Sequence, residues 1–227
     1  MSDYFNLAEE YESMLNQGIA LSGESMQYFA QGRIAAMKRL LGADASLTSI
    51  LDFGCGLGVG SRILSECFPQ ASVVGADTAR NALAAAREAS DPNRIRYITV
   101  EELEAEPLQF DLCYVNGVFH HVPLAERPAA IGLIANRLRP GGYLFLFENN
   151  PWNPGTRLVM SRIPFDRDAI PLSIPTARRL TTGAGLAVEG IESLFFFPRP
   201  LAFLRPLERT LSGSRLGAQY LVWSRKS

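Results

Sequence analysis

An apolar run that ends on four alternating glycines constrains the fold more than any other feature of the chain. In the segment ILDFGCGLGVGS, residues 50–61, these are Gly54, Gly56, Gly58 and Gly60. Glycine lets a backbone approach a ligand closely and adopt positive φ. A helix that begins just after such a turn points its free N–H groups at the same place. The stretch therefore predicts a buried strand, a tight turn and a helix, and the turn is either a ligand site or only a connection.

Five β-rich runs separated by helical patterns extend this scheme along the chain. Strands that alternate with helices predict an α/β fold, with a parallel sheet covered on both faces. The predicted strands are residues 49–54, 72–77, 94–100, 110–117 and 142–149, and the predicted helices are residues 59–68, 79–90, 124–138 and 176–184.

The two ends of the chain depart from this alternation. Residues 5–41 predict two helices broken around SGES, which would form a cap over the sheet. The apolar run AVEGIESLFFF and the later QYLVWSRK predict a terminal antiparallel hairpin on the sheet edge. We expect one domain, composed of a helical cap (1–44), a cofactor-binding core (45–150), a proline-rich ordered insertion facing the substrate (151–175), and a C-terminal helix with the hairpin (176–227).

Composition limits the classes of function. The 227 residues are 47% hydrophobic with a formal net charge of -1, so no global attraction to nucleic acid or to an anionic membrane is expected. Three cysteines without CxxC spacing indicate neither a disulfide framework nor a metal site. With no secretory signal or membrane span apparent, we expect a cytoplasmic protein.

Charge is nevertheless uneven along the chain. Residues 1–31 carry five acids and no lysine or arginine, whereas residues 198–227 carry six basic residues and one acid. Opposite charges predict attraction between the two ends.

Glycine spacing separates two kinds of nucleotide site from other ligands. The dinucleotide fingerprint G-x-G-x-x-G, started at Gly54, places its third glycine on Val59. The phosphate-binding loop fails as well, because no Gly-Lys-Ser/Thr follows.

The pattern D-x-G-C-G-x-G resembles motif I of the class I S-adenosylmethionine-dependent methyltransferases, of the small-molecule type (methyltransferase types 11 and 12). The residues that carry it are Asp52, Gly54, Cys55, Gly56 and Gly58. The resemblance covers about residues 45–150. It implies a Rossmann-like, mostly parallel seven-stranded sheet with a C-terminal antiparallel hairpin, and S-adenosylmethionine as cofactor.

The same resemblance implies further cofactor residues. Asp77, at the end of the second strand, would accept hydrogen bonds from the ribose hydroxyls, or would cap the helix near Ala79. Glu101 and Glu102 would lie near the adenine amine, or in a solvated loop. Thr78 and Asn116 join this set, and Arg33 would meet the methionyl carboxylate.

Candidate catalytic residues follow the fourth and fifth strands. His120 and His121 lie where open α/β sheets bind ligands, and either could act as a general base, support the cofactor pocket or be structural. Asn149 and Asn150 would orient a hydroxylated acceptor through their amides, or form a turn before Pro151.

The insertion and the N-terminal segment hold further candidates. Trp152, Arg157, Asp166 and Asp168 would line a pocket for a polar acceptor, unless the loop folds on itself with its acids and arginines paired. Tyr11 and Tyr28 would cover the donor, although Tyr28 is favoured as a core residue.

The segment FFFPRPLAFLRPLERTL, residues 195–211, mixes aromatic residues, leucines and arginines as an interfacial membrane segment does. Its first three phenylalanines are better explained as a buried strand, and three prolines interrupt any amphipathic helix. Peripheral membrane contact is therefore the less favoured interpretation.

We conclude from the sequence that the chain methylates an oxygen or nitrogen of a small molecule, such as a sugar, a lipid-linked compound or a secondary metabolite. A nicotinamide-dependent oxidoreductase is the rival enzyme, and a methyltransferase-like binding protein without turnover is the rival from another class. A nucleic-acid methyltransferase is disfavoured because no Asn/Asp-Pro-Pro-Tyr/Phe motif or broad basic face is present.

Overall fold

A computed structural model describes residues 17–42, 45–166 and 169–227. These ranges contain seven strands and eight α-helices of four or more residues. A short helical stretch at residues 17–22 precedes them. The strands are β1 (Ser49–Phe53), β2 (Ser72–Asp77), β3 (Ile95–Thr99), β4 (Phe110–Asn116), β5 (Leu138–Asn149), β6 (Leu186–Leu194) and β7 (Gln219–Lys226). The helices are α1 (Met26–Leu41), α2 (Val59–Cys67), α3 (Arg80–Glu88), α4 (Val100–Ala105), α5 (Arg127–Arg137), α6 (Pro154–Arg162), α7 (Ile174–Gly183) and α8 (Glu208–Leu211).

All seven strands form one sheet in the order β3-β2-β1-β4-β5-β7-β6. The first five are parallel, and β7 pairs antiparallel with both β5 and β6. The chain order reverses between β1 and β4, which is where an open α/β sheet binds its ligand beyond the carboxyl ends of the strands. This confirms the predicted fold class and the terminal antiparallel pair.

Alternate side chains of the central strands build a separate hydrophobic core on each face. In β4, Leu112 and Tyr114 face α1, α2 and α3, whereas Cys113 and Val115 face α4, α5 and α7. Strands buried on both faces read as continuous apolar runs, which explains why the central strands could be recognised in the sequence.

Most predicted boundaries lie within about two residues of the observed ones. The strand β5 begins earlier, at Leu138, because the RPGG segment pairs irregularly with β4 through a register shift between Phe110 and Leu112. The insertion contains the nine-residue helix α6, whose first turn is capped by the side chain of Asn153. Helix α1 supplies buried Ile34 and Met37 to the core and so is a layer of the fold.

The prediction that Phe195, Phe196 and Phe197 form a buried strand is wrong. Strand β6 ends at Leu194, and Phe195 has a positive φ of 60°, which a strand does not permit. All three rings are partly exposed. Phe195 packs instead against the ring of Phe29 on α1, with centroids 4.9 Å apart.

An ion pair joins the acidic N-terminal segment to the basic C-terminal segment, as the charge distribution predicts. Arg205 donates to the carboxylate of Glu24 at 2.6 Å. Arg205 also lies over the ring of Tyr28, 4.6 Å from its centroid. None of the helices described here is long and apolar enough to cross a membrane.

The carboxylate of Asp111 ties together the amino ends of β1 and β4. Its Oδ2 accepts from the backbone N–H groups of Thr48 and Ser49, and its Oδ1 accepts from Arg139 at 2.5 Å. Partial burial raises the pKa of Asp111, but these hydrogen bonds outweigh it and lower the pKa to about 2. Because the folded-state pKa lies below the unfolded value, the stabilisation is present above pH 4 and is lost as the pH falls toward 2.

We expect Asp111→Asn to lower the free energy of unfolding at pH 7 by about 1 kcal/mol, since the carboxylate is partly solvated. Urea unfolding between pH 7 and pH 3 measures this, with the exposed Glu66→Gln as control. The difference in free energy of unfolding between wild type and variant should decrease as the pH falls below 4. A difference that stays constant would contradict the assignment.

Candidate active site

Three glycines after β1 form a tight turn at the carboxyl edge of the sheet. Gly54, Gly56 and Gly58 have φ of 74°, 52° and 72°, a region that favours glycine. The N–H of Gly54 donates to the carbonyl of Ala76 at 2.7 Å, which fastens the turn to the end of β2. The N–H of Gly58 closes the turn on the carbonyl of Cys55 at 2.9 Å.

The glycines differ in what a side chain would meet. A Cβ on Gly54 would lie 2.2 Å from Val118, and one on Gly58 would lie 2.2 Å from the hydroxyl of Tyr97. A Cβ on Gly56 would meet nothing within 4 Å. Gly54 and Gly58 are thus required by packing as well as by φ, whereas Gly56 borders open space that a ligand can enter. The fourth glycine, Gly60, has no positive φ and packs beside Asp52.

The carboxylate of Asp77 lies between the glycine turn and α3. One oxygen accepts from the N–H of Gly56 at 2.8 Å, and the other accepts from the N–H of Ala79 at 2.9 Å. The capping interpretation is wrong in detail, because Ala79 is the N-cap of α3 and no side chain caps the helix. Asp77 instead fixes the backbone of the residue that precedes α3. Each carboxylate oxygen accepts more than one hydrogen bond, so this arrangement leaves capacity for hydroxyl donors from a ligand.

Asp52 is buried on the face of the sheet that packs against α1 and α2. Its Oδ2 accepts from the hydroxyl of Ser61, in the first turn of α2, at 2.6 Å. Burial raises the pKa of Asp52 to about 7, and the nearby charge of Asp77 adds to this, while Ser61 and Arg33 act in the opposite direction. Cys55, in the turn itself, is also buried, and burial raises the pKa of its thiol.

Arg33 reaches the sheet edge from α1 and is 7% exposed. Its Nε donates to the hydroxyl of Tyr114 and one terminal nitrogen donates to Gln219, both at 3.0 Å. Gln219 in turn donates to the side chain of Asn149 at 3.1 Å. A continuous polar chain therefore links the N-terminal helix to the ends of β5 and β7.

Asn116, the last residue of β4, carries an unsatisfied buried acceptor. Its Oδ1 has no hydrogen-bond partner in the described part of the chain. Unpaired buried polar atoms are costly in a folded protein and are expected to be met by a ligand or water. Since β4 pairs with β1 up to Val115 and Phe53, this oxygen lies at the edge that also carries the glycine turn.

Glu101 and Glu102, which follow β3, differ in their contacts. Glu102 accepts from the N–H of Thr99 at 2.7 Å, while the hydroxyl of Thr99 accepts from the N–H of Glu102, so the two residues form a capping box for α4. Glu102 therefore has a local structural role, and its contact with the adenine amine stays a prediction. Glu101 is exposed on α4 and remains a prediction, as does the exposed Thr78.

A cluster of histidines and carboxylates lies beyond β4 and β5. The Nδ1 of His120 donates to Oε2 of Glu148 at 2.7 Å, and its Nε2 lies 3.5 Å from Oδ1 of Asp166. The Nε2 of His121 lies 3.3 Å from the same oxygen. His120, Glu148 and Asp166 are all buried, whereas the side chain of His121 is 23% exposed.

The two histidines are not equivalent in this cluster. Burial lowers the pKa of His120, but the negative charges of Glu148 and Asp166 outweigh it and raise the pKa to about 10. A cationic imidazole with both nitrogens facing carboxylates cannot accept a further proton. These contacts disfavour His120 as a general base, and His121 is the more exposed member of the pair. The catalytic role of either histidine stays a prediction.

The asparagines at the end of β5 have separate roles. Asn150 is fully buried: its amide donates to the carbonyls of Arg215 and Gly217, and its Oδ1 accepts from the N–H of Trp152. This confirms the turn-forming interpretation of Asn150. Asn149 is only half-buried, faces the polar chain from Arg33 and remains a candidate for acceptor contact.

The predicted acceptor pocket is only partly assembled. Asp166 joins the histidine cluster, but Trp152 is 47% exposed and lies beside Arg215, and Arg157 is exposed on α6. Tyr28 packs with Phe29 and Arg205 and so serves the core between the chain ends. Tyr11 and Asp168 lie outside the described residues.

Sequence reasoning missed several residues of this edge. Tyr114 and Gln219 hold Arg33, and Glu148 holds His120 and also accepts from the N–H of Phe119 at 2.7 Å. Glu148 could have been found as the charged residue inside the apolar run GYLFLFEN, because a buried carboxylate requires a partner.

A cavity of about 410 Å³ lies elsewhere, at the amino edge of the sheet, and is lined by residues that include Leu47, Asp111, Arg139 and Tyr143. The amino edge is opposite the carboxyl ends of the strands, where parallel sheets bind their ligands. We therefore assign the functional site to the glycine edge.

Comparison with known proteins agrees with this geometry. Residues 50–142 match a family model described as a methyltransferase domain. The trans-aconitate 2-methyltransferase of Deinococcus radiodurans is 35% identical over 96 residues, which are 42% of this chain and 35% of that protein. The enzyme of the same name from Rhodopseudomonas palustris (strain BisB5) is 27% identical over 191 residues, covering 82% of this chain and 68% of that protein.

A crystal structure of an S-adenosylmethionine-dependent methyltransferase from Mesorhizobium loti superposes with a TM-score of 0.61, at 21% identity, over 86% of this chain and 98% of that one. The chain therefore has the fold of S-adenosylmethionine-dependent methyltransferases, and its residues 50–142 match a methyltransferase domain. The match to the Deinococcus relative spans about a third of that protein's length.

The cofactor of this family fits the residues present. The open space at Gly56, the unsatisfied Oδ1 of Asn116 and the carboxylate of Asp77 all lie along one edge of the sheet. They offer hydrogen-bond acceptors to the hydroxyl and ammonium groups of a nucleoside with an amino-acid tail, and no side chain placed to neutralise a phosphate belongs to this set.

We expect the pH dependence of stability to report the protonation of Asp52. Because its folded-state pKa lies above the unfolded value, the free energy of unfolding should fall as the pH rises from about 4 to about 7, by at most about 1.4 kcal/mol per unit. Asp52→Asn keeps the acceptor for Ser61 but cannot ionise. In urea unfolding, the free energy of unfolding of the variant should therefore rise relative to that of wild type between pH 4 and pH 7. Above pH 7 the difference between the two should stay constant. A difference that does not change between pH 4 and pH 7 would refute the assignment.

Proposed function

We propose that this protein transfers a methyl group from S-adenosylmethionine to an oxygen or nitrogen of a small molecule. The observation that carries the proposal is the buried, unsatisfied Oδ1 of Asn116 beside a glycine turn held open at Gly56. An unpaired acceptor at that place calls for a donor such as an ammonium group.

Each group at the edge has a distinct task in binding the donor. Asp77 would accept hydrogen bonds from the ribose hydroxyls, and Asn116 would accept one from the methionyl ammonium. Arg33 would supply positive charge toward the methionyl carboxylate, since its guanidinium is already oriented by Tyr114 and Gln219. Fixed hydrogen bonds of this kind hold the side chains in their binding geometry before the ligand arrives.

When bound, the cofactor would supply an electrophilic methyl group on a positively charged sulfur. The protein then needs chiefly to align the acceptor and to exclude water. His121 and Asn149 lie at the carboxyl edge, on the acceptor side, and are the residues we assign to acceptor contact. His120 is a positioning residue that links Glu148 to Asp166.

A small acceptor is favoured over a macromolecule. The chain has a net charge of -1 and no broad basic face, so it lacks the electrostatic footprint of nucleic-acid binding. The two curated relatives described above carry the name of an enzyme that acts on trans-aconitate, a small polycarboxylate. Polycarboxylates and hydroxylated metabolites are therefore the first acceptors to test.

We expect Asp77→Ala to weaken donor binding at least tenfold, because it removes the proposed acceptor for two ribose hydroxyls and frees the N–H of Gly56. Titration calorimetry with S-adenosylmethionine and S-adenosylhomocysteine measures this. Asp91→Ala, in an exposed turn at the opposite edge, is the matched control. An unchanged dissociation constant for Asp77→Ala would refute its role, and binding of a nicotinamide dinucleotide in place of the sulfonium compound would refute the proposed function.

We expect His121→Gln to lower turnover by one to three orders of magnitude without changing the affinity for S-adenosylhomocysteine, since removing a group that handles the acceptor leaves the donor site intact. The assay follows release of S-adenosylhomocysteine with a panel of small carboxylates and alcohols that includes trans-aconitate. A loss of donor affinity in this variant would place His121 in the cofactor pocket instead.

A further inference from the structure

The histidine cluster has distances that fit a metal ion better than hydrogen bonds. Oδ1 of Asp166 lies 3.5 Å from Nε2 of His120 and 3.3 Å from Nε2 of His121. Ligand atoms at the usual bond lengths of a tetrahedral zinc ion are roughly 3.3 Å apart. One ligand atom from each of the three residues lies within 4.8 Å of the others. Two of the three ligand–ligand distances are therefore close to the edge of a coordination tetrahedron, and the third is within 4.8 Å.

A second, independent observation points to a missing ligand. Among the described residues, Oδ1 of Asp166 is buried and accepts no hydrogen bond of good geometry, although both imidazoles face it at 3.3 and 3.5 Å. Asp166 itself is only 6% exposed. A buried carboxylate oxygen held only by these long contacts is poorly satisfied, and a bound cation would satisfy it.

The hydrogen bonds around His120 resemble those that orient a metal-binding histidine. Its Nδ1 is held by Oε2 of Glu148 at 2.7 Å, and the other oxygen of Glu148 is fixed by the N–H of Phe119. A ligating histidine usually donates its second nitrogen to a carboxylate in this way, which sets the ring orientation and directs the remaining nitrogen at the metal. To bind an ion, His120 must lose the proton on Nε2 while Nδ1 keeps its proton toward Glu148, so the ion takes the place of that proton between the imidazole and Asp166.

We propose that His120, His121 and Asp166 bind one divalent transition-metal ion. Two imidazoles and one carboxylate suit zinc, iron, cobalt or nickel better than magnesium or calcium, which prefer oxygen ligands. Three protein ligands leave a coordination position open, as in catalytic rather than structural sites. The partial exposure of His121 places that open position toward solvent.

Cysteine count and sequence spacing gave no sign of this site. Asp166 lies 45 residues after His121 in the chain and comes beside it only because the insertion folds back over β4. The N–H of Ile170 donates to the carbonyl of His120 at 3.0 Å, and Arg127 donates to the carbonyl of Ile170, so both ends of the contact are anchored.

Metal binding itself does not depend on the proposed function, but its purpose does. An ion at this position would take an oxygen ligand from the acceptor, which favours a hydroxyl or carboxylate over an amine. Coordination would then orient that oxygen and lower its affinity for a proton. The inference in this respect rests on the methyl transfer proposed above.

The test is a titration of tag-free, chelator-treated protein with zinc by calorimetry, and with cobalt by visible absorption. We expect one ion per chain, with at least tenfold weaker binding in Asp166→Asn and in His121→Gln, and no comparable binding of magnesium. His121 is partly exposed, so its variant is informative even where Asp166→Asn folds poorly. Cys67→Ser, which removes a thiol outside the cluster, should bind zinc as wild type does.

Three results would overturn the metal site: no zinc binding by wild type, equal affinity in Asp166→Asn and His121→Gln, or loss of binding in Cys67→Ser. Binding of S-adenosylhomocysteine is measured on the same samples. Protein that binds this nucleoside but no metal refutes the metal site alone, whereas protein that binds zinc but not the nucleoside refutes the proposed function alone.

Discussion

The hydrogen bonds from the glycine turn to the end of β2 are the constraint on which the site depends. Gly54 and Cys55 both donate to the carbonyl of Ala76, and Gly56 donates to Asp77. These bonds require β1 and β2 to be parallel and in register, so that the two strands end together. The turn, the carboxylate and the first residues of α2 are then fixed relative to one another without further contacts.

Charged side chains are concentrated at the same edge of the sheet, where acidic groups lie close to basic groups. The charge of Asp77 lies close enough to raise the pKa of Asp52, and Arg33 offsets part of that effect. On the acceptor side, Glu148 and Asp166 surround a single buried imidazole. Buried carboxylates without cationic partners would destabilise the fold, so both groups of acids imply cations nearby.

The core of the fold was predictable because its signals are local. The buried strands, the glycine turn and Asp77 are each recognised within a few residues, and their placement follows from the topology of a parallel sheet. Contacts between distant segments were not predictable in this way. The approach of Asp166 to His121 depends on how a proline-rich insertion folds, and the capping box of Thr99 and Glu102 competes with a ligand role that the sequence alone leaves equally open. The aromatic run from Phe195 was misassigned because a positive φ is invisible in composition.

The polar chain through Arg33 joins residues that are far apart along the sequence: Tyr114 is 81 residues away and Gln219 is 186 residues away. During synthesis on a ribosome, β1, β2 and the turn between them can form long before β7 emerges. Contacts of such long range close slowly, since the intervening chain must first be ordered. The guanidinium therefore acquires its final orientation only when the last strand is added, and in a nascent chain lacking β7 the cation would be held by Tyr114 alone.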